Sequence, residues 1–390
     1  MSIDIARVRR DTPACQSIIH FNNAGAALMP QPVVQAVIEH LERETRIGAY
    51  EAYTDQLDAI EHTYDAVAAL LNCHPDEVAI IENATRAWDM AFYAIPFKAG
   101  DRILTSVAEY ASNYIAYLQV ARKTGAVVEV IPNDDYGQTS VEDLRAMMDE
   151  QVKLISITHV PTNGGLVNPA AEIGKVAREA KVYYLLDACQ SAGQLDLNVE
   201  EIGCDMLSAT GRKYLRGPRG TGFLYVRRQL IEQLEPPLLD LHAAEWTSLN
   251  EFKIRDDARR FENWECNFAG KIGLGVAIDY ARELGIAAIA KRVNLLAETL
   301  RQGLRAIPGV MVTDLGERRS GIVTFTVEGK DPKELREQLR AEHQINVWSS
   351  PAEYTLIDMQ QRELASVIRA SVHYYNTETE IEKFCEVLKA

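Results

Sequence analysis

Between residues 78 and 226 short apolar runs alternate with segments in which apolar positions recur every three or four residues. The runs Val78–Ile81, Arg102–Ser106, Ala126–Ile131, Lys153–Val160 and Val182–Asp187 read as buried strands, and 205–210 with 222–226 adds two more. Helices are expected from Pro30–Pro32 onward, over 56–71, from 84 through 95, over 113–124 and over 140–149. Alternation at crossover length predicts a mostly parallel sheet with helices on both faces. The charged stretch 250–260 reads as a hinge region. Beyond it, helices at 268–284 and 286–306, strands at 310–313 and 322–327, a helix at 331–341, strands near 345–348 and 367–371 and a helix at 377–389 predict a smaller α+β domain.

The 390-residue chain is 47% hydrophobic and 25% charged, a composition suited to a globular protein with a sizeable core. Its net charge of −15 argues against general attraction to nucleic acid or anionic membranes. No stretch approaches the length of a membrane span, and residues 1–11 have no signal-peptide apolar core. The six cysteines (15, 73, 189, 204, 266 and 385) are scattered without metal-ligand spacing, so no metal site is expected and they read as reduced thiols in a cytoplasmic protein.

Two positions carry candidate chemistry. Asp187 ends an apolar strand, where open α/β sheets place their ligands, and a carboxylate buried there needs a cationic partner. Lys213 is flanked by Thr210, Arg212 and Arg216 and followed by glycines at 217, 220 and 222. Crowding by cations lowers a lysine's pKa, and a partly neutral amine forms Schiff bases. Pyridoxal phosphate (PLP) would satisfy both residues, with its ring nitrogen on the aspartate and its aldehyde on the lysine.

With Val182-Tyr-Tyr-Leu-Leu-Asp187-Ala-Cys-Gln190 and Thr210-Gly-Arg-Lys213 so spaced, nearly the whole chain resembles the class V aminotransferase family of PLP enzymes. That group contains cysteine desulfurases, selenocysteine lyases, cysteine C–S lyases and isopenicillin N epimerase-like proteins. The resemblance implies fold type I, with a large domain built on a mostly parallel seven-stranded sheet over 21–255 and a small domain from 1–20 and 256–390. It places Ala84 and Thr85 on the cofactor phosphate, at a strand–turn–helix junction that offers free amides. Thr210 and Arg212 match further phosphate contacts, and Gln190 matches a residue beside the cofactor oxygen. Either Thr162 or Asn163 faces that oxygen. The small-residue loop with Asn23 and Ala24 lies at the site mouth. Arg369, on an apolar strand, matches the residue that binds an amino acid's carboxylate through two parallel hydrogen bonds.

Three departures stand out. Tyr110 replaces the family's histidine; a phenol can stack on the cofactor ring but cannot shuttle protons near neutral pH. Trp264-Glu265 replaces a Gly-Thr pair whose threonine reaches the neighbouring subunit's phosphate, although a homodimer is still expected. The loop 349–359 has no cysteine where desulfurases carry a persulfide-forming one, and Ser, Tyr and Thr do not substitute for a thiolate. The expected activity is therefore Cβ–S elimination from a cysteine-derived amino acid. A desulfurase-like enzyme, aminotransferase, epimerase or non-catalytic PLP-binding protein are the alternatives. His159, alone at a strand end, is as well explained by a structural role as by a catalytic one.

Overall fold

The computed structural model describes residues 3–389. Seven strands form one sheet in the order Val78–Ile81, Gly222–Val226, Met206–Thr210, Tyr183–Asp187, Val152–Thr158, Arg102–Ser106, Val127–Ile131. All neighbours pair in parallel except Gly222–Val226, which runs antiparallel to both of its partners. The central strands are apolar throughout because both faces are covered. Alternation divides their side chains cleanly. Leu104, Ile155, Leu186, Leu207 and Phe223 enter one core, whereas Ile103, Leu154, Leu185, Met206 and Leu224 enter the other. The same parallel arrangement brings Ser106, Thr158, Asp187 and Thr210, each the last residue of its strand, to one edge.

A second, antiparallel sheet orders Val310–Val312, Ile322–Val327, Ser366–Ser371 and Trp348–Pro351. Helices Ile286–Arg305 and Glu378–Lys389 pack beside it in a third core. Arg369 lies opposite Thr324 and Trp348 in this sheet. The chain's start joins the same region, since Ile19–His20 pairs in parallel with Ile345–Asn346. Residues 244–254 form a hairpin, Ala244–Ser248 with Glu251–Ile254, in the region that the charge run suggested was a hinge. Its Trp246 is 77% exposed, so charged and apolar side chains alternate on a solvated ribbon that has no buried face to reveal it. A helix at Ala49–Asp55 was also not expected.

Arg216 does not crowd Lys213. It is buried, with Nε donating to the Leu28 carbonyl at 2.7 Å and Nη1 to the Tyr374 hydroxyl at 2.7 Å. Its guanidinium also lies 4.5 Å from the Tyr375 ring centre. The arginine thus ties the lysine loop to the N-terminal segment and to the 374–375 turn. Across the site, Gly193 holds a φ of +92°, and an added Cβ would fall 2.4 Å from the Tyr214 backbone carbon. The loop after Asp187 and the loop carrying Lys213 are therefore in backbone contact. Gly193→Ala is expected to destabilise the fold by about 2–4 kcal/mol, read as a lower urea midpoint; an unchanged midpoint would contradict this contact.

Candidate active site

A cavity opens at the carboxyl edge of the large sheet. Its inner lobe, about 90 Å³, is lined by Ala84, Thr85, Tyr110, Asn113, Asp187, Cys189 and Thr210. Its outer lobe, about 310 Å³, is bounded by Asn22, Ala24, Arg219, Trp348, Tyr354 and Arg369. Tyr110, Thr162, Gln190, Arg212 and Lys213 line both.

At the inner end the helix Ala84–Phe92 starts behind Asn83, whose side chain accepts from the Arg86 amide. The N–H groups of Ala84 and Thr85 stay free of helical partners at the wall of the inner lobe, an arrangement suited to an anion. Gly222 allows the antiparallel strand to approach this start, because a Cβ there would lie 3.0 Å from the Ala84 nitrogen. The Asp187 carboxylate accepts from the Cys189 amide at 2.9 Å and from Asn113 Nδ2 at 3.1 Å. Asn113 also donates to Glu109 at 2.9 Å, which links two buried carboxylates. Glu109 accepts from Thr105 Oγ1 and from the amides of Tyr110 and Thr158. Burial pushes its carboxyl up to about 7, and Asp187 nearby adds to the shift.

Burial lowers the Lys213 pKa, and the charges of Arg212 and Arg369 lower it further, against the opposing influence of Cys189 and Asp187. Desolvation is thus the larger cause, ahead of the crowding that the local sequence suggested. Arg369 is 4% exposed, is held by Thr162 Oγ1, and has an Nε without a partner. Gln190 donates from Nε2 to the Ala24 carbonyl at 3.1 Å, and its buried Oε1 is also unpartnered.

Two sequence-expected residues lie elsewhere. Asn23 is buried with its amide donating to the His20 and Ser371 carbonyls and its oxygen accepting from Tyr375, so no polar atom remains for a ligand. Asn22, which borders the outer lobe, has the unpartnered oxygen instead. Asn163 turns to the smaller sheet, donating to the Pro351 carbonyl at 3.0 Å and accepting from Ser350 Oγ at 2.6 Å. Thr162 is the residue of this pair that lines the cavity. The sequence reading also missed Asn113, Cys189, Arg219 and Trp348, none of which lies in a local pattern that reports its neighbours across the sheet edge. His159 lines neither lobe; its backbone amide donates to the Asp187 carbonyl at 2.9 Å and its Nδ1 lies 3.0 Å from Ser191 Oγ.

The cavity fits PLP group by group. A helix start with two threonines and Arg212 suits the phosphate, Asp187 suits a protonated ring nitrogen, and Lys213 suits the aldehyde. Fold and site define a PLP-dependent enzyme of fold type I. More narrowly, the chain belongs to the aminotransferase class-V family, whose model matches residues 19–384. It is 30% identical over 389 residues to a probable cysteine desulfurase of Pyrococcus abyssi, covering 98% of this chain and 96% of that one. A probable cysteine desulfurase of Xylella fastidiosa is 32% identical over 402 residues, covering 99% and 95%. Among solved structures, the apo cysteine desulfurase of Thermococcus onnurineus superposes with a TM-score of 0.92 at 29% identity, covering 100% and 98%. A cystine C–S lyase in complex with cysteine persulfide shares the fold at a TM-score of 0.87 and 23% identity, covering 97% and 99%.

The buried His159 generates a pH prediction. Burial lowers its pKa from 6.5 to about 3, so the folded imidazole stays neutral where an unfolded one takes up a proton. As pH falls below about 6.5 the unfolded chain binds more protons, and stability drops. Between pH 7 and pH 5 the wild type should lose about 2 kcal/mol more stability than His159→Gln, measured by urea unfolding at each pH. Parallel losses in the two proteins would contradict the assignment.

Proposed function

We propose that this protein is a β-eliminating lyase acting on a cysteine-derived amino acid, without a persulfide on the enzyme. The observation that carries this reading is the state of the thiols. The strand and turn at 348–355 bring Trp348 and Tyr354, and no cysteine, to the cavity. Cys189 does line the inner lobe, but burial pushes its thiol up to about 12. Burial raises the remaining five as well: Cys15 and Cys266 to about 11, Cys73 to about 12, and Cys204 and Cys385 in the same direction. A protonated thiol is a poor nucleophile toward sulfur, so the raised thiols and the cysteine-free cavity mouth together support elimination over sulfur transfer.

When bound, PLP supplies a conjugated ring that spreads the electron pair left by removal of a Cα proton. In this reading Arg369 grips the substrate carboxylate and fixes the Cα–H bond. Lys213 Nζ, its basicity at the bound substrate set by desolvation, takes the proton from Cα. Asp187, oriented by the Cys189 amide and Asn113, holds the proton on the ring nitrogen. The Cβ–S bond then breaks with its electron pair going to sulfur, and the released enamine hydrolyses to pyruvate and ammonia. Tyr110 borders both lobes, and burial raises its phenol's pKa, so it serves as a wall and not as a proton carrier.

The same reading includes a homodimer in the cytoplasm, supported by six unpaired cysteines and by the exposed Trp246, Leu249 and Phe252. It also includes the division into 21–255 and 1–20 with 256–390, supported by the pairing of Ile19–His20 with Ile345–Asn346.

Incubation with cysteine, cystine and cysteine S-conjugates should give pyruvate and ammonia in equal amounts. Alanine as the main product, with one sulfur gained on Cys189 or another cysteine, would instead establish a desulfurase, the activity in the names of the relatives above. Asp187→Ala should slow turnover on the order of a thousandfold, whereas near wild-type turnover would remove the aspartate from its role.

A further inference from the structure

Glu109 is a buried carboxylate that the proposed reaction leaves without a task. It lines neither lobe of the cavity, and three elements supply its hydrogen-bond donors. Thr105 Oγ1 and the Thr158 amide, from adjacent parallel strands, reach Oε2 at 3.0 and 3.1 Å. The Tyr110 amide and Asn113 Nδ2, where helix Ala111–Thr124 begins, each reach Oε1 at 2.9 Å, and Thr158 Oγ1 donates to the same oxygen. The titratable groups coupled to it are Asp187 and the Tyr117 phenol, which donates to Ser156 Oγ at 2.7 Å and which burial keeps protonated. Among the described residues it forms no ion pair. Donors on both oxygens stabilise the ionised form of a carboxyl group that burial alone would neutralise.

Asn113 couples this carboxylate to the cavity. Its Nδ2 has two hydrogens and spends one on each acid, Glu109 Oε1 at 2.9 Å and Asp187 Oδ2 at 3.1 Å. Burial and the nearby Asp187 push the Glu109 carboxyl up to about 7. A cation on the cavity side of Asp187 therefore relieves both acids. By reciprocity, the charge on Glu109 strengthens the hold of the site on that cation. We propose that Glu109 is a positioning residue whose negative charge, coupled through Asn113 to Asp187, keeps the cofactor's ring nitrogen protonated. This inference rests on the reading above in one respect, that Asp187 is the partner of the ring nitrogen. It is independent of whether sulfur leaves by elimination or by transfer to the enzyme. Glu109 touches neither cofactor nor substrate, so its effect passes through the electrostatics of Asp187 alone.

The test uses holoenzyme loaded with PLP labelled with nitrogen-15 in its ring, whose NMR shift reports protonation of that nitrogen directly. Glu109→Gln removes the charge. Asn113→Ala breaks the link and leaves the other donors to Glu109 in place, so it serves where the glutamine amide disturbs them. Both variants should move the ring nitrogen's shift toward that of neutral pyridine and weaken PLP binding about fivefold or more. Both should lower kcat with little change in KM. Glu109→Asp, which keeps the charge, should recover part of the wild-type shift. The double variant should fall short of the sum of the two single effects, because both act through one link. A wild-type nitrogen shift and wild-type PLP affinity in both single variants, with a neutral ring nitrogen in Asp187→Asn, would overturn the inference and leave the role of Asp187 intact. A ring nitrogen still protonated in Asp187→Asn would refute that role and this inference with it.

Discussion

Two buried carboxylates without a protein cation are the constraint on which the site depends. Asp187 and Glu109 are 6% and 3% exposed and are joined through Asn113. Both are held by hydrogen-bond donors, and among the described residues neither forms an ion pair. Burying a carboxylate in this way is costly unless donors or a cation compensate. Donors saturate Glu109, whereas Asp187 borders the cavity and can still accept from a ligand. A protonated ring nitrogen in the cavity would supply the missing cation.

The fold makes this arrangement possible by simple geometry. Parallel strands end at one edge, so Thr158, Asp187 and Thr210 converge although they lie far apart in sequence. Antiparallel insertion of Gly222–Val226 returns the chain past the start of helix Ala84–Phe92, which sets that helix start next to the lysine loop. The smaller sheet then closes the mouth with Trp348 and Arg369, neighbours in its register. Desolvation, more than any single charge, lowers the basicity of Lys213.

Much of this was legible in the sequence because the central strands are buried on both faces and read as unbroken apolar runs. Asp187, Lys213 and Arg369 were legible for the opposite reason: each is an ionisable residue on or beside an apolar run. The failures share a cause. Asn23 and Asn22 differ by one position in a loop, and only tertiary contacts decide which amide is consumed by the Ser371 carbonyl and Tyr375. The choice between Thr162 and Asn163 turns in the same way on the approach of Ser350 and Pro351. Arg216 looked like a neighbour of Lys213 by spacing, yet a left-handed φ of 61° and the ring of Tyr375 carry it to the other side of the loop. The hairpin at 244–254 lacks a buried face, so its periodicity left no signal.

The central claim, that Lys213 is the amine to which PLP attaches across the cavity from Asp187, is tested most directly by borohydride reduction of the purified protein followed by peptide mass mapping. The account predicts that the visible band disappears and that the mass of the reduced cofactor is carried by the peptide containing Lys213, and by no other lysine. A stable adduct on a different lysine, or a coloured and reducible Lys213→Ala protein, would contradict it.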